Sequence, residues 1–136
     1  LHSFPTRPSS DLDDCFIGPF TEIQKGVVIG KKTKVQSHSF ICELVKIGDH
    51  CFIGHGVMFI NDVFQGGVPA GGDKKKRRST IIGNYVYIDS NVTLFPVNVC
   101  DHVVIGAGAV VTKDIVQPGS YAGNPARLIR SNPANK

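Results

Sequence analysis

An apolar residue recurs at every sixth position across the first half of the chain, from residue 17 to residue 59. A period of six matches neither the 3.6-residue repeat of an α-helix nor the two-residue alternation of an ordinary strand. Short strands separated by tight turns and stacked coil upon coil produce such a period. The eight residues are Ile17, Ile23, Ile29, Val35, Ile41, Ile47, Ile53 and Phe59. The sequence therefore predicts an all-β solenoid with one strand and one turn per six residues.

Three hexapeptides make one triangular coil of 18 residues, so residues 18 apart are expected to stack in adjacent coils. Neighbouring strands would lie about 4.8 Å apart, the ordinary spacing of a β-sheet. Two inward ladders follow, one of Ile17, Val35 and Ile53 and one of Ile23, Ile41 and Phe59. A single coil cannot bury its apolar face, so the core exists only in the stack.

The period stops where residues 63–80 bring several glycines, a proline and five consecutive basic residues. We expect this segment to be a long inserted loop, and such insertions often carry the binding face of a solenoid. The repeat restarts at Ile82, slips by one residue near Pro96 and ends near Ile115. These counts predict about four and a half coils.

The two ends of the chain do not join the repeat. Residues 1–12 are rich in Pro and Ser and resemble translated sequencing-adapter sequence, so we expect them to be non-native. The Pro and Gly between residues 117 and 125 are expected to end the coil, and residues 126–130 to hold a short helical turn. We therefore predict one domain over residues 13–130, followed by a tail over residues 131–136.

The net charge of +4 owes much to the basic run Lys74 to Arg78, so it describes a loop rather than the fold. The run fits a solvated loop tip, a clamp on a substrate diphosphate, or a nucleic-acid patch. Because the remaining sequence has no basic face with interleaved aromatic residues, we expect no nucleic-acid partner.

Four cysteines in 136 residues, with no CxxC pair, indicate a reducing compartment rather than a disulfide scaffold. We therefore expect a cytoplasmic protein without a bound metal. No run approaches the ~20 apolar residues of a membrane span, so none is predicted.

A polar ladder is predicted on one edge of the solenoid. Lys25, Glu43 and Asn61 each lie two residues after an inward apolar residue, and successive members are 18 apart. A carboxylate and an amide can orient an attacking amine, and an amide can stabilise a tetrahedral oxyanion. The alternative is that these are ordinary solvent-facing residues of the coils.

Histidine offers a second candidate base. His38 and His55 are 17 residues apart and are expected to lie near each other, either as a base or as cleft lining. His50 and His102 each follow an aspartate, a pattern typical of turns. A metal held by His38, His55 and Glu43 is possible by residue type but is not predicted.

The segment Ile105–Ile115, together with Tyr121–Arg127, resembles the acyl-CoA-dependent hexapeptide-repeat acyltransferases. The runs Gln36–Glu43 and Gly54–Asp62 resemble the nucleotide-sugar 3-N-acetyltransferases, and among them the UDP-2-acetamido-3-amino-2,3-dideoxy-glucuronate N-acetyltransferases. That resemblance implies a single-stranded left-handed parallel β-helix and a homotrimer with active sites between subunits. It also implies acetyl-CoA-dependent acetylation of the 3-amino group of a UDP-linked sugar, for surface polysaccharide such as O-antigen.

The residue patterns and the resemblance together predict roles for individual residues, although the basic run that contains Arg77 and Arg78 has no match in the family. The expected catalytic residues are Glu43, Asn61 and His38. The expected substrate-binding residues are Lys25, His55, Asp62, Arg77 and Arg78. The expected residues for acetyl-CoA are Ser90, Gly106, Ala107, Lys113 and Arg127.

Two other readings remain open. One is transfer to a dTDP-3-amino-3,6-dideoxyhexose, which differs only in the sugar and base pocket. The other is a γ-carbonic-anhydrase-like or purely structural solenoid, although His38 and His55 do not match well the spacing of a zinc-binding histidine triad.

Overall fold

The computed structural model of the protein describes residues 14–131, except the side chain of Lys74. Within that range the chain forms sixteen strands and no α-helix. The strands build the three faces of a parallel β-solenoid of about six turns, which confirms the predicted fold class. The left hand of the coil stays a prediction, as do the assignments for residues 1–12 and 132–136, which lie outside the described residues.

Each face of the solenoid is one sheet. Sheet A contains β1 (Phe16–Ile17), β4 (Lys34–Val35), β7 (Phe52–Ile53), β10 (Tyr87–Ile88), β13 (Val103–Ile105), β15 (Gly119–Ala122) and β16 (Arg127–Ser131). Sheet B contains β2 (Glu22–Ile23), β5 (Phe40–Ile41), β8 (Met58–Phe59), β11 (Thr93–Leu94) and β14 (Val110–Val111). Sheet C contains β3 (Val28–Ile29), β6 (Val45–Ile47), β9 (Thr80–Ile82) and β12 (Asn98–Val99).

The strand register confirms the predicted ladders. Ile17 pairs with Val35, Val35 with Ile53 and Ile53 with Ile88. Past the predicted slip, Ile82 pairs with Val99, one residue short of the 18-residue spacing. From the second coil onwards the inward side chains are buried, whereas Ile17 in the first coil is half-buried and the outward neighbours are half-buried or exposed. Stacking therefore builds a continuous aliphatic core, although no single coil could do so.

Polar residues at the smaller inward positions satisfy their hydrogen bonds within the stack. The Thr33 hydroxyl donates to the Gly48 carbonyl at 2.7 Å and accepts the Cys51 N–H at 3.1 Å. Ser39 does the same one face further on, with Gly54 and Val57. Because each buried hydroxyl is satisfied by the next coil, it stabilises the stack.

Most turns place a residue in the left-handed backbone region just before the small inward position. The φ angle is 65° at His38, 56° at His50 and 61° at His102. A non-glycine residue is disfavoured there, and hydrogen bonds to the neighbouring coil hold it in place, as when the His50 N–H donates to Lys31. His50 and His102 are thus turn residues, as predicted.

The insertion is shorter than predicted by one residue. Thr80 is buried and opens β9, so the inserted segment is residues 63–79. It contains two single 3-10 turns, Gln65–Gly67 and Lys74–Lys76. The predicted boundary was wrong because the small threonine at an inward position resembles the polar residues of the loop.

Two predictions for the C-terminal region were wrong. Residues 119–122 do not end the stack but form β15, which pairs in parallel with β13 and adds a further turn. Residues 127–131 form β16, antiparallel to β15, instead of a helical turn. The open edge of sheet A offers backbone hydrogen bonds to this segment, and that tertiary pairing outweighs local helix propensity.

Candidate functional site

Glu43 and Asn61 lie in adjacent coils on the edge where sheet B turns into sheet C, which we call the B–C edge. The Asn61 amide Nδ2 donates to the Glu43 main-chain carbonyl at 3.0 Å. The Glu43 N–H in turn donates to Gln24 Oε1 at 3.0 Å. Lys25 follows Gln24 and lines a cavity together with Glu43. The structure therefore brings together the polar ladder that the 18-residue spacing predicts.

Three cavities meet along the B–C edge. The first, about 760 Å³, combines an apolar surface with the polar groups of Glu43, Asn61 and Arg77. Its apolar side chains include Phe40, Met58, Phe64 and Phe95. The second, about 390 Å³, lies on the sheet C side and is lined by Lys25, Lys46 and Ser79. Glu43 lines both cavities, so it lies between a more apolar and a more basic compartment.

Two arginines of the basic run line cavities at this edge. Arg77 lines the 760 Å³ cavity and also a third, polar cavity of about 440 Å³, which Arg78 lines as well. The Arg77 guanidinium donates to the Gly71 carbonyl at 2.7 Å, so it is tied to the insertion. Arg77 thus faces the cavity that Glu43 and Asn61 line, and Arg78 faces the adjoining polar cavity.

The Cys42 thiol lies beside Glu43 and lines the same cavity. Burial raises the pKa of Cys42 to about 11, although Arg77 acts in the opposite direction. A thiol with so high a pKa stays protonated at neutral pH, and only the thiolate is a good nucleophile. Cys42 therefore forms part of the cavity wall rather than a reacting group.

Asp62 was predicted to bind substrate, but its carboxylate is engaged by the insertion. One oxygen accepts the Phe64 N–H at 3.0 Å and the other accepts the Ala70 N–H at 2.8 Å. These backbone hydrogen bonds, aided by Arg77 and Lys76, hold the pKa of Asp62 below its ordinary value.

Five other predicted residues lie on a different edge, where sheet A turns into sheet B. His38, His55, Ser90, Gly106 and Ala107 all lie in turns of this A–B edge, between strands of those two sheets. The His38 ring stacks on Phe20, with ring centroids 5.1 Å apart, and its Nδ1 lies 3.0 Å from Ser37 Oγ. Small residues leave the backbone of this edge accessible, since Ala107 is exposed.

A single chain does not bring His38 together with Glu43. The two residues lie at opposite ends of β5, on different edges of the solenoid. The predicted acetyl-CoA residues also lie in separate parts of the solenoid, since Lys113 and Arg127 are not on the A–B edge. Lys113 follows β14 on the B–C edge, whereas Arg127 begins β16 and pairs with Ala122.

The sequence reasoning missed several residues of the B–C edge. Gln24 could have been found, because it precedes Lys25 in the same row and its side chain bonds the Glu43 N–H. Ser79 and Phe64 lie in the insertion, where no period predicts which side chains turn towards the cavities.

Two further observations concern the described range alone. Residues 14–131 contain no group of three or more His, Cys, Asp and Glu side chains placed to hold a metal ion. Over the same residues, the structure forms no helix of the length and apolarity that crossing a membrane requires.

The chain matches known hexapeptide-repeat sequences. The family model "Hexapeptide repeat of succinyl-transferase" matches residues 44–69 and 79–113. The chain is 37% identical over 117 residues to the bifunctional protein GlmU of Campylobacter concisus, and the alignment covers 85% of this chain and 24% of GlmU. The chain thus spans about a quarter of the length of that relative.

Two solved structures share the fold. The polySia-specific acetyltransferase NeuO is 30% identical with a TM-score of 0.68, and the match covers 87% of this chain and 61% of NeuO. A variant of AntD, an N-acyltransferase from Bacillus cereus, in complex with dTDP-4-amino-4,6-dideoxyglucose and coenzyme A, has a TM-score of 0.80 at 18% identity. That match covers 96% of this chain and 77% of AntD. With its repeat, its solenoid and these matches, the chain is a hexapeptide-repeat β-solenoid that is similar to known acyltransferases.

Proposed function

We propose that this chain transfers the acetyl group of acetyl-CoA to the 3-amino group of a UDP-linked amino sugar, in the cytoplasm, for surface polysaccharide synthesis. The observation that carries the proposal is the Glu43–Asn61 pair beside a cavity of about 760 Å³. A cavity of this size with an apolar wall and a few convergent polar groups is typical of a small-molecule site.

In the proposed reaction, Glu43 and Asn61 hold the neutral amine of the sugar against the thioester. The amine nitrogen attacks the thioester carbonyl carbon, the C–S bond breaks and the CoA thiolate leaves. The proton that the amine loses passes to that thiolate, so proton and charge balance. Orientation of the amine and stabilisation of the tetrahedral oxyanion are the contributions expected of these side chains.

The proposed acceptor is a nucleotide-linked sugar. Arg77 and Arg78 face cavities next to Glu43, and arginine suits a diphosphate because its planar group binds phosphate oxygens in pairs. The AntD complex, which contains a dTDP-linked amino sugar and coenzyme A, supports both co-substrates and keeps a dTDP-linked acceptor as a second candidate.

The proposed assembly is a homotrimer in which each site lies between two subunits. In one chain, the A–B edge with Ser90, Gly106 and Ala107 and the B–C edge with Glu43 and Asn61 are separated by the strands of sheet B. If the A–B edge of one subunit faces the B–C edge of the next, acetyl-CoA on the first edge reaches an amine on the second. In this arrangement His38 joins Glu43 across the interface.

The test is release of the CoA thiol from acetyl-CoA, measured across a panel of UDP- and dTDP-linked amino sugars. We expect turnover with a UDP-3-amino sugar and an amide product of the corresponding mass. Turnover with dTDP-linked sugars alone would favour the second candidate. Stabilisation of the protein by zinc but not by acetyl-CoA, without turnover on any sugar, would overturn the proposal.

A further inference from the structure

Asp62 stands at the point where the solenoid gives way to the insertion. Its side chain bonds forwards into the loop, to Phe64 at 3.0 Å and to Ala70 at 2.8 Å. Ala70 is itself buried, with an exposed fraction of 8%, whereas its loop neighbours are exposed. The Asp62 carboxylate thus binds two backbone N–H groups in the first half of the loop, and one of them belongs to the buried residue Ala70.

The second half of the loop is closed by main-chain contacts to the same place. Asp62 and Arg77 form an isolated antiparallel bridge, and the Arg78 N–H donates to the Asn61 carbonyl at 3.0 Å. The Asp73 N–H donates to the Ala70 carbonyl at 3.0 Å, which joins the two halves. The loop therefore has both ends and its middle tied to a short stretch around Asp62.

This folding decides which loop residues line the cavity of Glu43 and Asn61. Phe64 and Arg77 both line this cavity. The Phe64 N–H donates to the Asp62 carboxylate, and Arg77 forms the backbone bridge with Asp62. Without those ties, an insertion of this length would sample many conformations, since it contributes few buried apolar contacts.

We propose that Asp62 is a positioning residue: its carboxylate folds the insertion so that Phe64 and Arg77 form a wall of the acceptor cavity, and this wall contacts the nucleotide sugar. The proposal rests on the proposed function for the identity of the ligand. Asp62 itself lines that cavity, and both of its carboxylate oxygens accept loop N–H groups, so it adds a positioning role to the substrate contact that the sequence predicts.

The chemistry requires a carboxylate at this position. Each oxygen accepts one N–H from a different part of the loop, so the group acts as a two-point clamp. An asparagine keeps the size and one acceptor oxygen, but its NH₂ would face a backbone N–H, and two donors cannot bond. The substitution Asp62→Asn therefore removes one of the two hydrogen bonds to the loop without creating a cavity.

Asp73→Asn is the matched control. Asp73 lies in the same loop, and its Oδ1 accepts the Lys75 N–H at 3.0 Å, a bond between close neighbours in sequence. Asp73→Asn should therefore leave the hydrogen bonds between the loop and Asp62 intact.

Limited trypsin digestion measures the position of the loop independently of activity, because the Lys74–Arg78 run supplies cleavage sites inside it. For Asp62→Asn we expect several-fold faster cleavage within this run and an unchanged melting temperature. In steady-state kinetics we expect a several-fold higher KM for the nucleotide sugar and an unchanged KM for acetyl-CoA. Asp73→Asn should behave as the wild type in both measurements.

The outcomes separate this inference from the proposed function. Wild-type cleavage rates in Asp62→Asn overturn the clamp, whatever the activity. Faster cleavage with an unchanged KM for the sugar overturns the link between the loop and the acceptor. If the wild type transfers acetyl to no nucleotide sugar, the proposed function fails. In that case a UDP-amino sugar is added to the wild type during trypsin digestion. Slower cleavage would show that the loop contacts this ligand, and an unchanged rate would overturn that contact.

Discussion

The Asn61 side-chain amide donates a hydrogen bond of 3.0 Å to the main-chain carbonyl of Glu43, across one full coil of 18 residues. The bond joins two turns that carry the polar groups of the B–C edge. It also fixes the amide of Asn61 beside the carboxylate-bearing residue, so that the two are presented to the same cavity.

Removing either group should therefore lower the rate of acetyl transfer. We expect Glu43→Ala and Asn61→Ala each to reduce kcat by about a hundredfold, the typical cost of losing one orienting or oxyanion-binding group. Lys34→Ala is the control, because Lys34 lies exposed on the outer face of β4, in sheet A. Thiol release gives the rates and gel filtration the assembly; unaltered kinetics in both variants would contradict the assignment.

Gly106 and Gly30 should respond differently to the same substitution. A Cβ at Gly30 would lie 2.5 Å from the Gly48 backbone of the next coil, so Gly30→Ala should lower the melting temperature markedly. At Gly106 the nearest atom is the Ala122 Cβ at 3.3 Å, so Gly106→Ala should fold with little loss of stability.

The same Gly106→Ala variant tests the proposed path of acetyl-CoA. If the cofactor lies against the backbone of the A–B edge, the added methyl group should raise the KM for acetyl-CoA and leave the KM for the sugar unchanged. Equal cofactor affinity in the variant and the wild type, measured by calorimetry, would argue against that path.

Thr33→Val should destabilise the stack although it keeps the shape of the side chain. The buried hydroxyl donates to Gly48 and accepts from Cys51, and valine leaves both groups without that partner. We expect a loss of about 1–3 kcal/mol in the free energy of unfolding, measured with urea. Thr93→Val, on the half-buried outer position of β11, should change stability much less.

The buried thiols predict a loss of stability in alkaline solution. Burial raises the pKa of Cys51 from 9.0 to about 11, as it does for Cys42. Because the folded-state pKa is the higher one, the stabilisation is fully present below pH 9 and is lost as pH rises towards 11. For Cys51, the difference between the folded-state and unfolded-state pKa corresponds to roughly 2–3 kcal/mol.

Urea unfolding at pH 7.5 and 10.5 measures this loss. Cys51→Val should show a smaller loss than the wild type, because valine occupies the same inward position in the next coil, at Val86. An identical pH dependence in the two proteins would show that the Cys51 thiol does not titrate as its burial predicts.

Most of the fold could be predicted because the repeat is a local property with a fixed period. Once Ile23, Ile41 and Phe59 point inwards, the 18-residue coil also sets Glu43 above Lys25 and Asn61 above Glu43 on the outside. The predictions failed where pairing partners are distant or the period is absent. Residues 119–122 and 127–131 take their structure from the open edge of sheet A, which no local pattern reveals.

By itself, the sequence determined the solenoid, the stacking register, the slip near Pro96 and the polar ladder of the B–C edge, since all follow from counting in sixes. Only the tertiary structure decided that the A–B and B–C edges divide the predicted site residues, and that Asp62 faces the insertion. The physical reason is that stacking is imposed by repeated apolar burial, which spacing encodes. The path of the loop instead depends on individual hydrogen bonds, such as that from Ala70 to Asp62, which spacing does not encode.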